Sequence, residues 1–444
     1  MKILMVQCLI TTIYFLTLSI VTVLSHNLHA TTLKPKDIRN FLGTRTPYRF
    51  KNNKNDTKYL ISGCKDAKIW MILRHGTRLP SAKDIVGMNT KLKALKYEIL
   101  LQNNQGPLKE DHLKLFENWV NDIEVEQEKY LTLEGQYEMI QLAERMQRRF
   151  PNAIKHVYKS KDFKFKYTAT QRAQQSARYF TVGLFDKNNS QNVVFEPALK
   201  IDTTLRCEIV KFLYILCSFY WTIHPYVTNI SGFMYYDLLF DSSKLIFVIN
   251  CLYLFFYYIF TDTVSLIYKI CGYETSWHKY FTSPWCLGFD DINIKILEYY
   301  HDLKHYWLDG YGFSLTYKQA CMLLKNMFES MSKKGPRGTF LFAHSGTLLK
   351  LLTHLQLYKP DSHLRGDAMI EERSWRASNI DCFASNLAFV LFKCEDGDKI
   401  LSLHQERIIK LPMCEEELCP LEYLKEYFYE SIHNCDHSDM CRLD

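Results

Sequence analysis

The chain reads as α/β: a mixed, mostly parallel sheet flanked by helices, with an inserted, mostly helical domain. Three observations predict this. Short apolar runs of strand length lie near both ends of the 444 residues and are followed by helical patterns, the alternation that builds parallel sheets. Between them runs a long stretch of helical periodicity. A hydrophobic share of 47% with 23% charged residues is that of a globular protein, long enough here for two or three structural units.

Residues 1–30 open with Lys2 and an apolar stretch, Ile3 to Leu24, ahead of Leu28-His29-Ala30. This is the pattern of a cleaved secretory signal. An uncleaved anchor is the rival reading, because the stretch is long for a signal. Residues 31–60 are polar and loop-like. Ile69–Leu73 reads as a strand buried on both faces, and Ser81-x-x-Asp84 as a capping box opening a helix. Residues 95–130 look helical. Leu131-Thr-Leu-Glu-Gly135 leads into an amphipathic helix with Met139, Ala143, Met146 and Phe150 on one face, ended by Pro151. Lys164–Thr168 reads as a strand, Gln171–Leu184 as a helix, and Val193–Phe195 as a further short strand.

Residues 292–308 carry Ile292, Ile296, Tyr299, Leu303 and Trp307 at helical spacing. Thr339–Phe342 is a strand ending at His344, and Leu348–Leu357 is an apolar helix. Leu387–Phe392 and Ile400–Leu403 are the last strands. The sheet domain therefore draws on residues 31–95, 131–206 and 335–412, and the helical insert on 96–130 and 207–334. Residues 413–444 form a cysteine-rich tail.

Residues 209–270 stand apart. Ile209–Val227 and Leu245–Phe260 are apolar and dense in Phe and Tyr. Three readings are open: a pair of membrane spans, a buried segment of the helical domain, or translated non-coding sequence. Residues 245–260 are short for a span and are followed by Asp262. A membrane role therefore requires that segment or the N-terminus to act as an anchor.

Fourteen cysteines fit an oxidising compartment. Cys414, Cys419, Cys435 and Cys441 are placed to staple the tail, with connectivity open. Asn55, Asn188 and Asn229 begin glycan acceptor tripeptides. The end, Asp439 to Asp444, carries no KDEL-like signal, so the expected location is the secretory pathway, either secreted or in the endoplasmic reticulum lumen. The net charge of +7 suits an anionic partner. With no zinc-finger spacing, RNP-like motif or long basic run, nucleic acid is not expected, and nothing demands an obligate protein partner.

Chemistry concentrates at Arg74-His75-Gly76-Thr77-Arg78-Leu79-Pro80, where the chain leaves the first strand. Cleaving a phosphate ester requires a nucleophile, positive charge around the transferring oxygens and a proton for the leaving oxygen. Arg74 and Arg78 flank His75, and a guanidinium grips phosphate oxygens with two parallel hydrogen bonds. Gly76 lets the backbone pass close to a ligand. A surface loop with no role is the rival reading, and it fits a bare Arg-His-Gly triplet better than this seven-residue pattern.

This stretch resembles the RHGxRxP signature of the histidine acid phosphatases. More narrowly the chain resembles the multiple inositol polyphosphate phosphatases, a phytase-like branch. Gly43-Thr-Arg-Thr-Pro-Tyr48, Leu131-Thr-Leu-Glu-Gly135, Arg172-Ala-Gln-Gln-Ser-Ala177, Ser283-Pro-Trp-Cys286 and Ala384-Ser-Asn-Leu387 carry the likeness. It lapses between about Cys207 and Cys271. The resemblance implies a phosphomonoester hydrolase acting on inositol polyphosphates, and on 2,3-bisphosphoglycerate, through a phosphohistidine. His75 would be the nucleophile. Arg74, Arg78 and Arg172 would bind phosphate, and His344, the second catalytic histidine, would hydrogen-bond it as well. The family uses no metal for catalysis, so neither cofactor nor metal is expected.

The chain departs from the family at one point. There the second histidine precedes an acidic proton donor, commonly in a His-Ala-Glu sequence, whereas this chain has His344-Ser345-Gly346. The donor is thus unknown. Asp361, His363 and Glu406 are candidates that sequence does not place. A degenerate member that binds phosphorylated ligands with little turnover is the alternative.

Overall fold

The computed structural model describes residues 38–101, 108–199, 262–280, 283–436 and 440. The signal or anchor at 1–30 and most of the apolar stretch at 209–270 lie outside the described residues. Residues 262–277 are helical, and Leu266, Tyr268 and Ile270 there are buried.

Seven strands form one mixed sheet in the order β2-β3-β1-β4-β5-β6. They are β1 (Cys64–Arg74), β2 (Phe163–Tyr167), β3 (Gly338–Ala343), β4 (Asn386–Cys394), β5 (Gly397–His404), β6 (Arg407–Ile409) and β7 (Leu418–Pro420). β7, from the cysteine-rich tail, pairs with β5. The ladders β1–β3 and β2–β3 are parallel. Those joining β1–β4, β4–β5, β5–β6 and β5–β7 are antiparallel. Parallel pairing is therefore confined to one side of the sheet and is the minority among the described ladders, where the sequence suggested a mostly parallel sheet. Hairpins from β4 onward need no crossover, which is why that half runs antiparallel.

The main helices are α1 (Leu133–Arg149), α2 (Gln171–Asn189), α3 (262–277), α4 (Asp291–Asp309), α5 (Cys321–Met331) and α6 (Ser345–His354). β1 shows why the sheet needs helices on both faces. Its Trp70 and Ile72 pack with Tyr299 and Tyr306 of α4, Leu324 of α5 and Leu348 of α6. Its Ile69, Met71 and Leu73 pack with Met139, Leu142 and Met146 of α1 and Phe180 of α2. Such alternation, apolar on both sides, gives the uninterrupted hydrophobic run read from the sequence.

Ser81 caps a short helix, Ala82–Gly87, by accepting from the Asp84 amide, as its spacing suggested. Three local expectations are corrected. Residues 95–130 hold two short helices, Lys93–Leu101 and Glu110–Glu117, followed by loop with one 3₁₀ turn at Val125–Gln127. Trp119 turns inward there, edge-on to Trp285 with centroids 5.0 Å apart. Val193–Phe195 contributes only a single bridge, from Phe195 to Phe165. On α4 the apolar stripe is buried only in part: Tyr299 is buried and Leu303 and Trp307 pack half-buried against the core, but Ile292 and Ile296 are exposed, while Glu298 and Asp302 are buried. They are buried because Arg373 and Arg376 dock on them, and a paired carboxylate tolerates the interior.

Among the described residues four disulfides form: Cys64–Cys394, Cys271–Cys286, Cys321–Cys435 and Cys414–Cys419. The tail is thus tied both to itself and to α5.

Candidate active site

Because β1, β3 and β2 run parallel, their carboxyl ends emerge side by side. Arg74 is in register with Ala343, and Tyr167 with Phe342. The next residue of each strand is therefore presented at one edge: His75 after β1, His344 after β3 and Thr168 after β2. This is where open α/β sheets place ligands. The rings of His75 and His344 meet edge to face with centroids 5.5 Å apart.

Gly76 and Gly135 allow the approach. A Cβ on Gly76 would lie 2.5 Å from the Gly135 carbonyl oxygen, and one on Gly135 would lie 2.3 Å from the Thr77 oxygen. No side chain fits either place, so the loop after β1 rests directly on the first turn of α1. Thr132 caps that helix through the Gly135 amide and donates its hydroxyl to the Thr77 oxygen. Beneath the loop, Glu138 accepts from the Thr77 amide and hydroxyl and from the Tyr48 amide. Burial raises Glu138 to about 7.

His75 is 3% exposed. Its Nδ1 lies 2.8 Å from the Gly76 carbonyl oxygen. A carbonyl only accepts, so Nδ1 carries the hydrogen and Nε2 keeps its lone pair. Burial, followed by the charges of Arg74 and Arg172, His344 and Arg78, holds the imidazole well below its ordinary value. A neutral ring with an unprotonated Nε2 is the form a nucleophile needs.

The cations surround that ring. Arg74 Nη1 donates to the backbone oxygens of Thr44 and Asp381, each at 2.7 Å, and its guanidinium lies 4.8 Å from the centroid of Phe383. Arg172 Nη2 is 3.3 Å from His344 Nδ1. A guanidinium only donates, so the His344 hydrogen sits on Nε2, which donates to Thr168 Oγ1 at 2.9 Å. Arg78 lies over the ring of Tyr273 at 5.3 Å, and Arg45 lies at the same distance from that ring. His344 is the N-cap of α6, so the positive end of that helix faces the same region.

The structure thus gathers Arg74, His75, Arg78, Arg172 and His344, all five residues picked from the sequence. Asp361, His363 and Glu406 are not among them. Asp361 is exposed, His363 Nδ1 is hydrogen-bonded with the Tyr306 hydroxyl, and Glu406 is locked between Arg145 and Arg149. Sequence reasoning missed Thr168, Arg45 and Asp381. Thr168 had a signal, since it follows its strand as His75 and His344 follow theirs. Arg45 had one too, within the stretch Gly43 to Tyr48. Asp381 had none: it is a lone acid between apolar residues, yet it is fully buried, accepts from the Ser345 hydroxyl, and stands 3.6 Å from Arg74 Nη1. Among the described residues, no group of three or more His, Cys, Asp or Glu is arranged to hold a metal ion.

Known proteins resemble this chain in sequence and in fold. Residues 68–205 and 259–411 match the histidine phosphatase superfamily (branch 2), and much of the apolar stretch falls between the two segments. Multiple inositol polyphosphate phosphatase 1 of Drosophila melanogaster is 30% identical over 417 residues, covering 88% of this chain and 85% of its own. The Dictyostelium discoideum protein of that name is 26% identical, covering 86% and 69%. In fold the chain is similar to the phytase from D. castellii, with a TM-score of 0.66 at 17% identity over 91% of this chain and 87% of that one. It is also similar to the Bifidobacterium longum multiple inositol polyphosphate phosphatase in complex with phosphate, with a TM-score of 0.56 at 14% identity over 89% and 98%. A family match over more than half of the residues, together with the fly relative, establishes that the chain belongs to the histidine phosphatase superfamily (branch 2).

Proposed function

We propose that this phosphatase removes phosphoryl groups from inositol polyphosphates in two steps. His75 Nε2 attacks phosphorus and forms a phosphohistidine, and water then hydrolyses it. The observation that carries this reading is the tautomer of His75. Its Nδ1 hydrogen is committed to the Gly76 oxygen, and its surroundings disfavour protonation. The lone pair therefore faces a ring of guanidinium groups without needing a base to activate it.

Arg74, Arg78 and Arg172 neutralise the phosphoryl oxygens, the charge stabilisation that dominates phosphoryl transfer. His344 accepts from Arg172 and so helps hold that guanidinium in place. A substrate with several phosphates suits a site that concentrates this many cations. The related proteins whose names carry the same activity support that choice. Four disulfides among the described residues support residence in the oxidising secretory pathway, with secretion or the endoplasmic reticulum lumen as the destination.

The test is direct. The purified chain is expected to release phosphate from inositol hexakisphosphate. An alkaline quench during turnover should leave phosphate bound to His75, recovered on the peptide that contains it. Steady turnover with no histidine-bound phosphate would overturn the two-step reading.

A further inference from the structure

Each ester bond broken leaves an alkoxide that needs a proton. None of the groups so far placed around His75 is suited to supply it. Arginine does not release its proton in this range. The single Nε2 hydrogen of His344 is held by Thr168, and Gly346, two residues further on, has no side chain.

Yet the space beside Gly346 is filled. A Cβ built there would lie 2.5 Å from Asp309 Oδ1, 3.1 Å from its Cγ and 3.4 Å from Oδ2. The carboxyl group occupies the space into which any larger residue at 346 would have to project its side chain. Asp309 is the last residue of α4. The helix stops there because the Gly310 and Gly312 amides both turn back to the Tyr306 oxygen. Trp375, 2.6 Å from a Cβ on Gly310, leaves room for no other residue at the turn. One helical turn earlier, His305 Nδ1 meets Asp309 Oδ2 at 3.1 Å, so Oδ1 is the oxygen toward Gly346. The Asp309 and His305 side chains are 18% and 17% exposed, open enough to meet a substrate.

The other carboxyls near the site are worse placed. Asp381 is fully buried behind Ser345 and Arg74. Glu138 lies beneath the loop, accepting from Thr77 and Tyr48.

We propose that Asp309 is the general acid of this enzyme, standing in the space that Gly346 opens, with His305 as its positioning residue. The inference rests on the phosphohistidine reading above. In the first step the His75 Nε2 lone pair forms the N–P bond. The P–O bond to the inositol carbon breaks, its electron pair passes to the leaving oxygen, and that oxygen takes the proton from the Asp309 carboxyl. In the second step the Asp309 carboxylate accepts a proton from water as the new O–P bond forms. The P–N bond breaks, its electron pair returns to His75, and inorganic phosphate leaves.

Asp309→Asn tests this on two substrates. A leaving alkoxide needs the proton and a nitrophenolate does not. The ratio of kcat on inositol hexakisphosphate to kcat on 4-nitrophenyl phosphate is therefore expected to fall by about 100-fold or more. An unchanged ratio would overturn the proposal, whether both rates hold or both drop together. So would a selective fall in Asp381→Asn with Asp309→Asn unaffected. A thermal midpoint on each variant checks folding, and Asp309→Ser reads the same ratio should the asparagine variant not fold. Failure of the unmodified enzyme to form a phosphohistidine would instead discard the underlying reading, a separate outcome.

Discussion

Replacing His75 with alanine is expected to lower kcat on inositol hexakisphosphate and on 4-nitrophenyl phosphate alike, by on the order of 10⁴-fold or more, the scale of losing a nucleophile. Both substrates lose because the N–P bond precedes any question of the leaving group. Phosphate binding should survive, since Arg74, Arg78 and Arg172 are anchored independently of that ring. Arg74 holds to the Thr44 and Asp381 oxygens, Arg78 to the Leu79 oxygen and Arg172 to His344. Product inhibition by inorganic phosphate measures this, and its loss together with activity would point to a collapsed pocket. Residual turnover within tenfold of the parent would discard His75 as nucleophile.

The same imidazole sets a pH expectation. Protonation removes the lone pair, so activity is lost as pH falls through the His75 pKa. Burial acts first, and then the neighbouring cations; both push that value well below the ordinary 6.5. The acid limb of kcat/KM on 4-nitrophenyl phosphate should therefore lie clearly below pH 6.5. Arg172→Met removes one of those cations and should move the limb upward. A parental limb at 6.5 or above would contradict the buried, cation-ringed imidazole.

How much of this was legible in the sequence depends on distance along the chain. Arg74, His75 and Arg78 lie within five residues, so one strand-to-helix turn declares them together. His344 was legible because its strand, histidine and helix repeat the first unit. Arg172 sits on the first turn of a helix whose apolar face, including Ala173, Ala177 and Phe180, is plain. Asp309 was not legible. It lies well upstream of Gly346 in the chain and reaches it only because Tyr306 of α4 and Leu348 of α6 share one core. No local pattern encodes that packing. The buried face of α4 was read only in part, for a related reason. Periodicity counts apolar residues, whereas Glu298 and Asp302 are drawn inside by arginines some 70 positions away. Asp381 escaped notice because its partners, Arg74 and Ser345, come from two other strand ends.

Glu406 shows what supports the site from behind, and its removal should be the most damaging change away from the chemistry. Gln405 and Glu406 form the two-residue turn between β5 and β6, with φ of 48° and 65°. Turns of this kind favour Asn-Gly. Here burial and bonding hold two larger residues in the left-handed region. Glu406 is fully buried and accepts from Arg145 Nε at 2.8 Å, from Arg149 Nη1 and from the Tyr48 hydroxyl at 2.7 Å. Tyr48 in turn accepts from Asn386 Nδ2, one residue beyond Ser385, whose backbone oxygen takes the Arg74 amide. The turn thus braces the strand end that carries Arg74. Glu406→Ala leaves two buried guanidinium groups without their counter-charge, a change expected to destabilise the fold by about 3–5 kcal/mol. The measurement is the urea midpoint at an unchanged slope. The triple variant Glu406→Leu, Arg145→Met, Arg149→Met removes the charges as a set. It should be more stable than the single substitution, because desolvation of the ions goes with them. Should Glu406→Ala cost less than about 1 kcal/mol, Arg149 must be held by the Asn53 and Asn55 oxygens alone, and the carboxylate would not be the brace described.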